Sequence, residues 1–255
     1  MFGAQNVGIN AYTYQPNYMT ARVVGAFTLG GGQFSENSFA HTTDFGLNED
    51  LSIIHGSHQF RFGGYVLHTN EWSVAQAWSG GTYTFAPALT GSGLTDFFLG
   101  FVSQLRQANP NPLNVRQNSM ALYAQDTWKV TSRLTLNYGL NWDPFFGISF
   151  PQGDVYSFNL GNFYQGIKSS AIPNAPPGFL FPGDAGFHGK SSLSSRYKYF
   201  DPRVGLAWDP SGDGKTAIRV GAGISHDLLP LDLQLNTESS SPFRLTVINT
   251  GVNLG

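Results

Sequence analysis

The chain has 255 residues, of which 12% are charged, 15% aromatic and none cysteine, and its net charge is −2. Disulfides, thiolate metal sites and a cysteine nucleophile are therefore excluded, and there is no basic surplus to suggest nucleic acid. The charged fraction is about half of the roughly 25% usual in soluble domains, yet no run of about 18 apolar residues offers a transmembrane helix.

Gly (31) and Pro (14) are frequent enough for many turns rather than long helices. Near-neutral hydropathy suits a membrane β-barrel, where only alternate residues meet lipid, and equally a soluble β-sandwich. The opening residues Met1 to Asn6 lack the charged and apolar regions of a secretory leader. The expectation is that the chain begins inside a longer protein.

In chain order, a first strand is expected near Arg22–Leu29, ending at the flexible tip Gly30-Gly31-Gly32. A hairpin then joins Phe39–Ile54 to Gln59–His68 across His55-Gly56-Ser57-His58. Residues 70–116 read as a long connection, in which Gly80–Phe85 extends a strand or makes a small hairpin. Leu94–Gly100 reads as a short helix stopped by its glycine.

The second hairpin has the clearest pattern. Met120, Leu122, Ala124, Trp128 and Val130 alternate with Ala121, Tyr123, Gln125, Thr127 and Lys129. After Thr131-Ser132-Arg133, Leu134, Leu136, Tyr138, Leu140 and Trp142 alternate with Thr135, Asn137, Gly139, Asn141 and Asp143. Successive strand residues point to opposite faces, so this sheet is apolar on one side and polar on the other.

A second long connection, 145–196, contains an irregular Pro-rich stretch, Ile172–Gly183. The third hairpin joins Phe200–Trp208 to Thr216–His226 across Asp209–Lys215, which is rich in turn formers. Gly212-Asp213-Gly214-Lys215 lacks the rest of a phosphate loop and reads as part of that turn.

About seven principal strands result. The short turns fall at one end of an up-and-down sheet and the long connections at the other. Strands of about 11 to 14 residues with such lopsided loops point to a membrane barrel. The fold class expected is all-β, an antiparallel up-and-down transmembrane β-barrel segment, curled but open.

Four blocks support a resemblance. They are Gly56–Gly64, Asp96-Phe97-Phe98-Leu99-Gly100, Tyr123–Thr131 running into Arg133–Leu140, and Asp201–Trp208 followed by Lys215–Arg219. In this order they resemble the barrel region of TonB-dependent outer-membrane receptors, and most of all the Oar-like group. The resemblance covers about residues 38 to 228. Asn141-Trp142 stands where that family usually has Arg-Tyr, and Asp201 where it often has Ala. No plug domain, TonB box or terminal assembly strand is recognisable, so 1–255 reads as a partial barrel.

The resemblance implies an outer membrane of a Gram-negative bacterium, and a transport protein rather than an enzyme. Its partners would be lipid, a plug domain and further barrel strands, an inner-membrane TonB energy complex and an unidentified scarce solute. A passive porin and a soluble carbohydrate-binding module are the alternatives.

Trp72, Trp78, Tyr83, Trp128, Tyr138 and Trp142 are candidate membrane-interface aromatics, with Trp128 at the short-turn edge and Trp142 at the opposite one. Arg61, Asn137, Asn141, Arg203 and Arg219 are candidate lumen-facing residues. The arginines either touch an anionic solute or pair with Asp201, Asp209 or a plug domain. His41, His55, His58 and His68 are too scattered for a metal site, and no Ser, His and Asp share a catalytic spacing. Neither cofactor nor metal is expected. Solute contacts are expected in 70–116 and 145–196, for instance Trp78, Tyr83, Tyr156, Asn162, Tyr164 and Gln165.

Overall fold

The computed structural model describes residues 3–30, 38–227, 235 and 240–253; Gly31 and Gly32 of the expected glycine tip lie outside them. The chain forms two compact units, Thr43–Asn70 with Val115–Gln234, and Met1–Thr42 with Glu71–Asn114 and Leu235–Gly255.

The strands are β1 (Thr20–Val23), β2 (Phe27–Leu29), β3 (Phe39–His55), β4 (His58–Ala75), β5 (Thr82–Phe85), β6 (Phe101–Ala108) and β7 (Asn111–Thr131). They continue with β8 (Leu134–Trp142), β9 (Ser157–Phe158), β10 (Phe179–Leu180), β11 (Phe200–Trp208), β12 (Ile218–Gly223) and β13 (Thr246–Asn253). Among the described residues two short α-helices, α1 (Gly93–Phe98) and α2 (Leu160–Tyr164), lie between strands.

A six-stranded sheet has the order β12-β11-β8-β7-β4-β3. Each of its strands is followed along the chain by its spatial neighbour, apart from insertions in the connections, which is the up-and-down arrangement. The pairs β7–β8, β8–β11 and β11–β12 are antiparallel. The three tight turns share one rim. Lys129 N–H donates to Ser57 O at 2.8 Å, and Asp209 N–H to Arg133 O at 2.9 Å, so each turn is tied to its neighbour. Gly56 occupies the left-handed region (φ 59°) that a two-residue hairpin requires. Asp209 closes the longest of the three turns by accepting from Gly212 and Gly214 N–H at 2.8 and 2.9 Å.

Two expectations need correcting. The segment 70–116 is not one long loop, because β4 runs on to Ala75, β7 starts at Asn111, and β5, α1 and β6 lie between. At 17, 18 and 21 residues, β3, β4 and β7 exceed the roughly 9–11 that cross a bilayer. The expected strand Arg22–Leu29 is instead a hairpin of β1 and β2, broken at Val24-Gly25-Ala26. Gly25 has φ 82° and Ala26 N–H reaches Val23 O at 3.1 Å.

The second sheet runs β13-β6-β5-β1-β2, and its β1–β5 pair is parallel, unlike β7–β8, β8–β11 and β11–β12. Ala4, Met19, Ala21, Val23, Tyr83, Phe85 and Val102 form its core. Helix α1 is capped by Ser92 Oγ accepting from Thr95 N–H, and Gly100 follows with φ 70°. The fully buried Asp96 accepts from the backbone N–H of Leu89, Ala88 and Thr90 and from the Thr90 hydroxyl. Hydrogen bonds from Leu89 and Thr90, outweighing burial, hold its carboxyl down at about 2.

The segment 145–196 is a folded element in its own right. Phe145, Ile148, Phe150, Val155, Leu180 and Phe181 are buried within it. Asp184 accepts from Phe181, Ser170 and Ala171 N–H and from the Ser170 hydroxyl, all between 2.8 and 3.0 Å. Burial would raise this carboxyl's pKa; the Ser169, Phe181 and Ser170 hydrogen bonds overcome that and hold it well below the usual carboxylate range.

Candidate membrane face and polar face of the six-stranded sheet

Residues paired across an antiparallel sheet share a face. The printed register puts Trp128, Leu136, Leu206 and Val220 in one row, and Asp126, Tyr138, Val204 and Ala222 in the next. Ala124, Leu140 and Pro202, then Leu122, Trp142 and Phe200, complete the same face, and Leu134, Trp208 and Ile218 lie at its turn end. Asn137, Gly205 and Gly221 lie on the opposite face, as do Gly139, Arg203 and Gly223, Asn141 with Asp201, and Arg219 with Ala207.

Among the described residues, most of the apolar face is left uncovered. Val204 is 55% exposed and Val220 64%, and on β3 Leu47 is 62% exposed. In a soluble sandwich this surface would be the core; a contiguous exposed apolar face of this kind marks an interaction with lipid or protein.

Its aromatics are arranged in levels. Leu134 pairs with Trp208 at one end of β8 and Trp142 with Phe200 at the other. Eight residues at about 3.4 Å each, tilted by roughly 40°, span about 20 Å, close to the roughly 25 Å apolar band of such barrels. Trp208 was overlooked in the sequence, although its place directly before a turn is the same signal that singled out Trp128.

Trp128 stacks on the His58 ring at 5.2 Å. Trp142 stacks on Phe200 and donates its indole N–H to Tyr197 O at 2.7 Å. Tyr138 stands midway along β8, four residues from either end. Its hydroxyl donates to Asp126 at 2.8 Å while the ring remains exposed.

Asp126 is the one carboxylate in these rows. It is 3% exposed, and His58 Nδ1 lies 2.6 Å from Oδ2, the same oxygen that the Tyr138 hydroxyl reaches. Three strands, β4, β7 and β8, are thereby joined through one buried acid. A buried charge is tolerable only with such partners.

On the other candidates, Trp72 is exposed and packs edge-on against Phe39 at 4.9 Å. Tyr83 is buried in the core of the second sheet, 1% exposed, and cannot meet either lipid or solute. Trp78 takes a left-handed backbone (φ 60°) and carries Arg106 on its ring. Among the described residues His41, His55, His58 and His68 take part in no metal-holding cluster.

The polar face is open and glycine-rich. A groove of about 580 Å³ along β7, β8 and β11 is lined by Tyr123, Gln125, Asn137, Asn141 and Arg203 together with apolar-face residues such as Tyr138 and Val204. Tyr123 lies across Gly63 and its hydroxyl donates to Asp50 at 2.5 Å; a Cβ at Gly63 would sit 2.6 Å from the ring. Gly139 is similarly tight, 2.8 Å from Gln125 Cβ, whereas Cβ atoms at Gly205 and Gly221 would meet nothing nearer than 3.6 Å.

Arg61, Arg203 and Arg219 are exposed, and the expected ion pairs with Asp201 or Asp209 do not form. Asp201 is taken by His226, whose Nδ1 lies 2.5 Å away. Asp209 is taken by its own turn.

A sheet apolar and unpacked on one face, polar and grooved on the other, with tight turns along one rim, is the wall of a membrane barrel. The outer membrane beta barrel domain family matches residues 2–254, and the chain belongs to it. No curated protein and no solved structure matches the chain. The protein is thus a β-barrel protein of the outer membrane, and the soluble carbohydrate-binding alternative is set aside.

Proposed function

We propose that the chain is the wall of an energy-coupled outer-membrane receptor, of the TonB-dependent, Oar-like kind, that takes up a scarce solute. The supporting observation is the asymmetry of the two ends. One rim has three tight turns, while 145–196 is a folded element around Phe150 and Asp184. The four sequence blocks shared with those receptors add to it. In this reading Leu136, Leu140, Val204, Leu206, Ile218 and Val220 face lipid, and Arg61, Asn137, Asn141, Arg203 and Arg219 face the lumen. Further strands pair with β3 and β12, the edges of the six-stranded sheet, and a plug domain occupies the bore.

The test compares two deletions in the source bacterium, one of this gene and one of the TonB energy complex, on a panel of nutrients at limiting concentration. A receptor predicts the same nutrient requirement in both strains. A requirement seen only in the first strain, with uptake indifferent to the energy complex, identifies a passive porin and ends this proposal.

A further inference from the structure

Arg106 and Arg244 lie against a single indole in the unit that contains the five-stranded sheet. The Arg106 guanidinium carbon is 3.4 Å from the centre of the Trp78 ring and that of Arg244 is 5.1 Å away. The ring is held in place through its backbone, with Trp78 O accepting from Gly81 N–H at 3.0 Å and Ala108 N–H at 3.3 Å. Arg106 is placed by β6, where it pairs with Thr82 and Ile248. Arg244 lies two residues before β13, and its Nη2 donates to Ala77 O at 2.6 Å.

An arginine has five N–H donors and no acceptor. Arg244 is 9% exposed and uses one terminal nitrogen, and the Arg106 side chain makes no hydrogen bond among the described residues. The Nε of each is buried and unpartnered. No described carboxylate lies within 4 Å of either, the ion pairs of the described residues being His58–Asp126, Lys215–Asp213 and His226–Asp201. The Ser79 hydroxyl, one residue from Trp78, is fully buried and also unpartnered. Two like charges are thus brought together at low exposure with their donors unused. Burial lowers the pKa of Arg244, and the Arg106 charge lowers it further. An aromatic face offsets part of this cost by cation–π attraction, but supplies no acceptor. The complement is a doubly charged oxyanion that takes bidentate bonds from guanidinium forks.

We infer that Arg106 and Arg244, stacked on Trp78, form a binding site for a phosphate monoester group. The charge of such a group, about −1.5 to −2 at neutral pH, balances the pair. It can come from a soluble phosphorylated molecule or from a phosphate-bearing lipid headgroup. The site goes beyond the transport proposal and depends on neither uptake nor an energy complex.

The experiment uses the full chain folded in neutral detergent, titrated calorimetrically with inorganic phosphate. In a second arm, it is floated with vesicles of phosphatidylcholine alone or mixed with phosphatidic acid. Saturable phosphate binding is expected, weakened at least tenfold by Arg106→Gln and by Arg244→Gln and unchanged by Arg133→Gln at the turn rim. Flotation that requires phosphatidic acid and is lost in Arg106→Gln assigns the site to lipid headgroups. Phosphate binding without such flotation assigns it to soluble phosphates.

Arg106→Lys guards against misfolding, since it keeps the charge but loses the fork and should bind with intermediate strength. No saturable binding by the unaltered chain to either probe overturns the inference. So does binding that Arg106→Gln and Arg133→Gln weaken equally.

Discussion

The greater part of the six-stranded sheet and the segment 145–196 belong to the same compact unit and obey opposite rules. In the sheet the apolar side chains are outermost, and Val204 and Val220 are mostly exposed. In 145–196, Ile148, Phe150 and Val155 are wholly buried and the charged group at the centre, Asp184, is hydrogen-bonded on every side. The first arrangement is stable only where water is absent, the second only where it is present. One short stretch of chain therefore marks where the bilayer ends.

The largest test of this contrast is Phe150→Ala, which removes a fully buried ring and should cost the 145–196 element about 3–5 kcal/mol. Proteases should then nick between 145 and 196 while circular dichroism still reports the full strand content. Loss of strand signal together with the nick would mean that the two regions are one cooperative block. Next comes Val204→Arg, in the middle row of the apolar face. It should destabilise the protein in lipid vesicles by about 2–4 kcal/mol in urea titrations, whereas Asn137→Arg on the other face should change little. Equal damage from both would exchange or abolish the two faces.

A third test uses acid. Because the carboxyl of Asp184 is lowered in the folded state, its contribution is fully present above the unfolded value near 4. It fades progressively as the pH falls from there through the lower, folded value. Asp184→Asn should therefore open 145–196 to protease at neutral pH, and the difference from the unaltered chain should vanish in strong acid. The smallest effect is expected at the rim, where Trp208→Ala should shift the stability by about 1 kcal/mol and raise tryptophan access to aqueous quenchers.

The wall was legible because period-2 alternation over β8, β11 and β12 survives in the sequence without interruption. Two residues there, Asp126 and Trp208, still escaped notice. Asp126 breaks the apolar alternation, and its reason for doing so, His58 and Tyr138, lies on two other strands. The remainder was hidden for different reasons. In β6 the buried Val102 is followed by Ser103, Gln104, Arg106 and Gln107, polar enough to read as loop. β1 and β5 pair in parallel across nearly sixty residues of chain, a contact that local pattern does not encode. The phenylalanines of 145–196 follow neither strand nor helix period, since they pack around turns closed by Asp184. The juxtaposition of Arg106 with Arg244 depends on β6 meeting β13, and β13 itself went unrecognised.

The glycines at 205 and 221 bear on electrical behaviour. They pair with each other on the polar face and a side chain at either would strike nothing nearby, unlike Gly63 and Gly139, where the space is already taken. They leave a bare patch on the surface proposed to line the bore. Substituting progressively larger residues there, Ala, Leu and then Trp, would leave the sheet intact while narrowing the passage stepwise. In a complete barrel freed of its plug, single-channel current in planar bilayers should fall with each step, so these two positions act as a size dial for permeation.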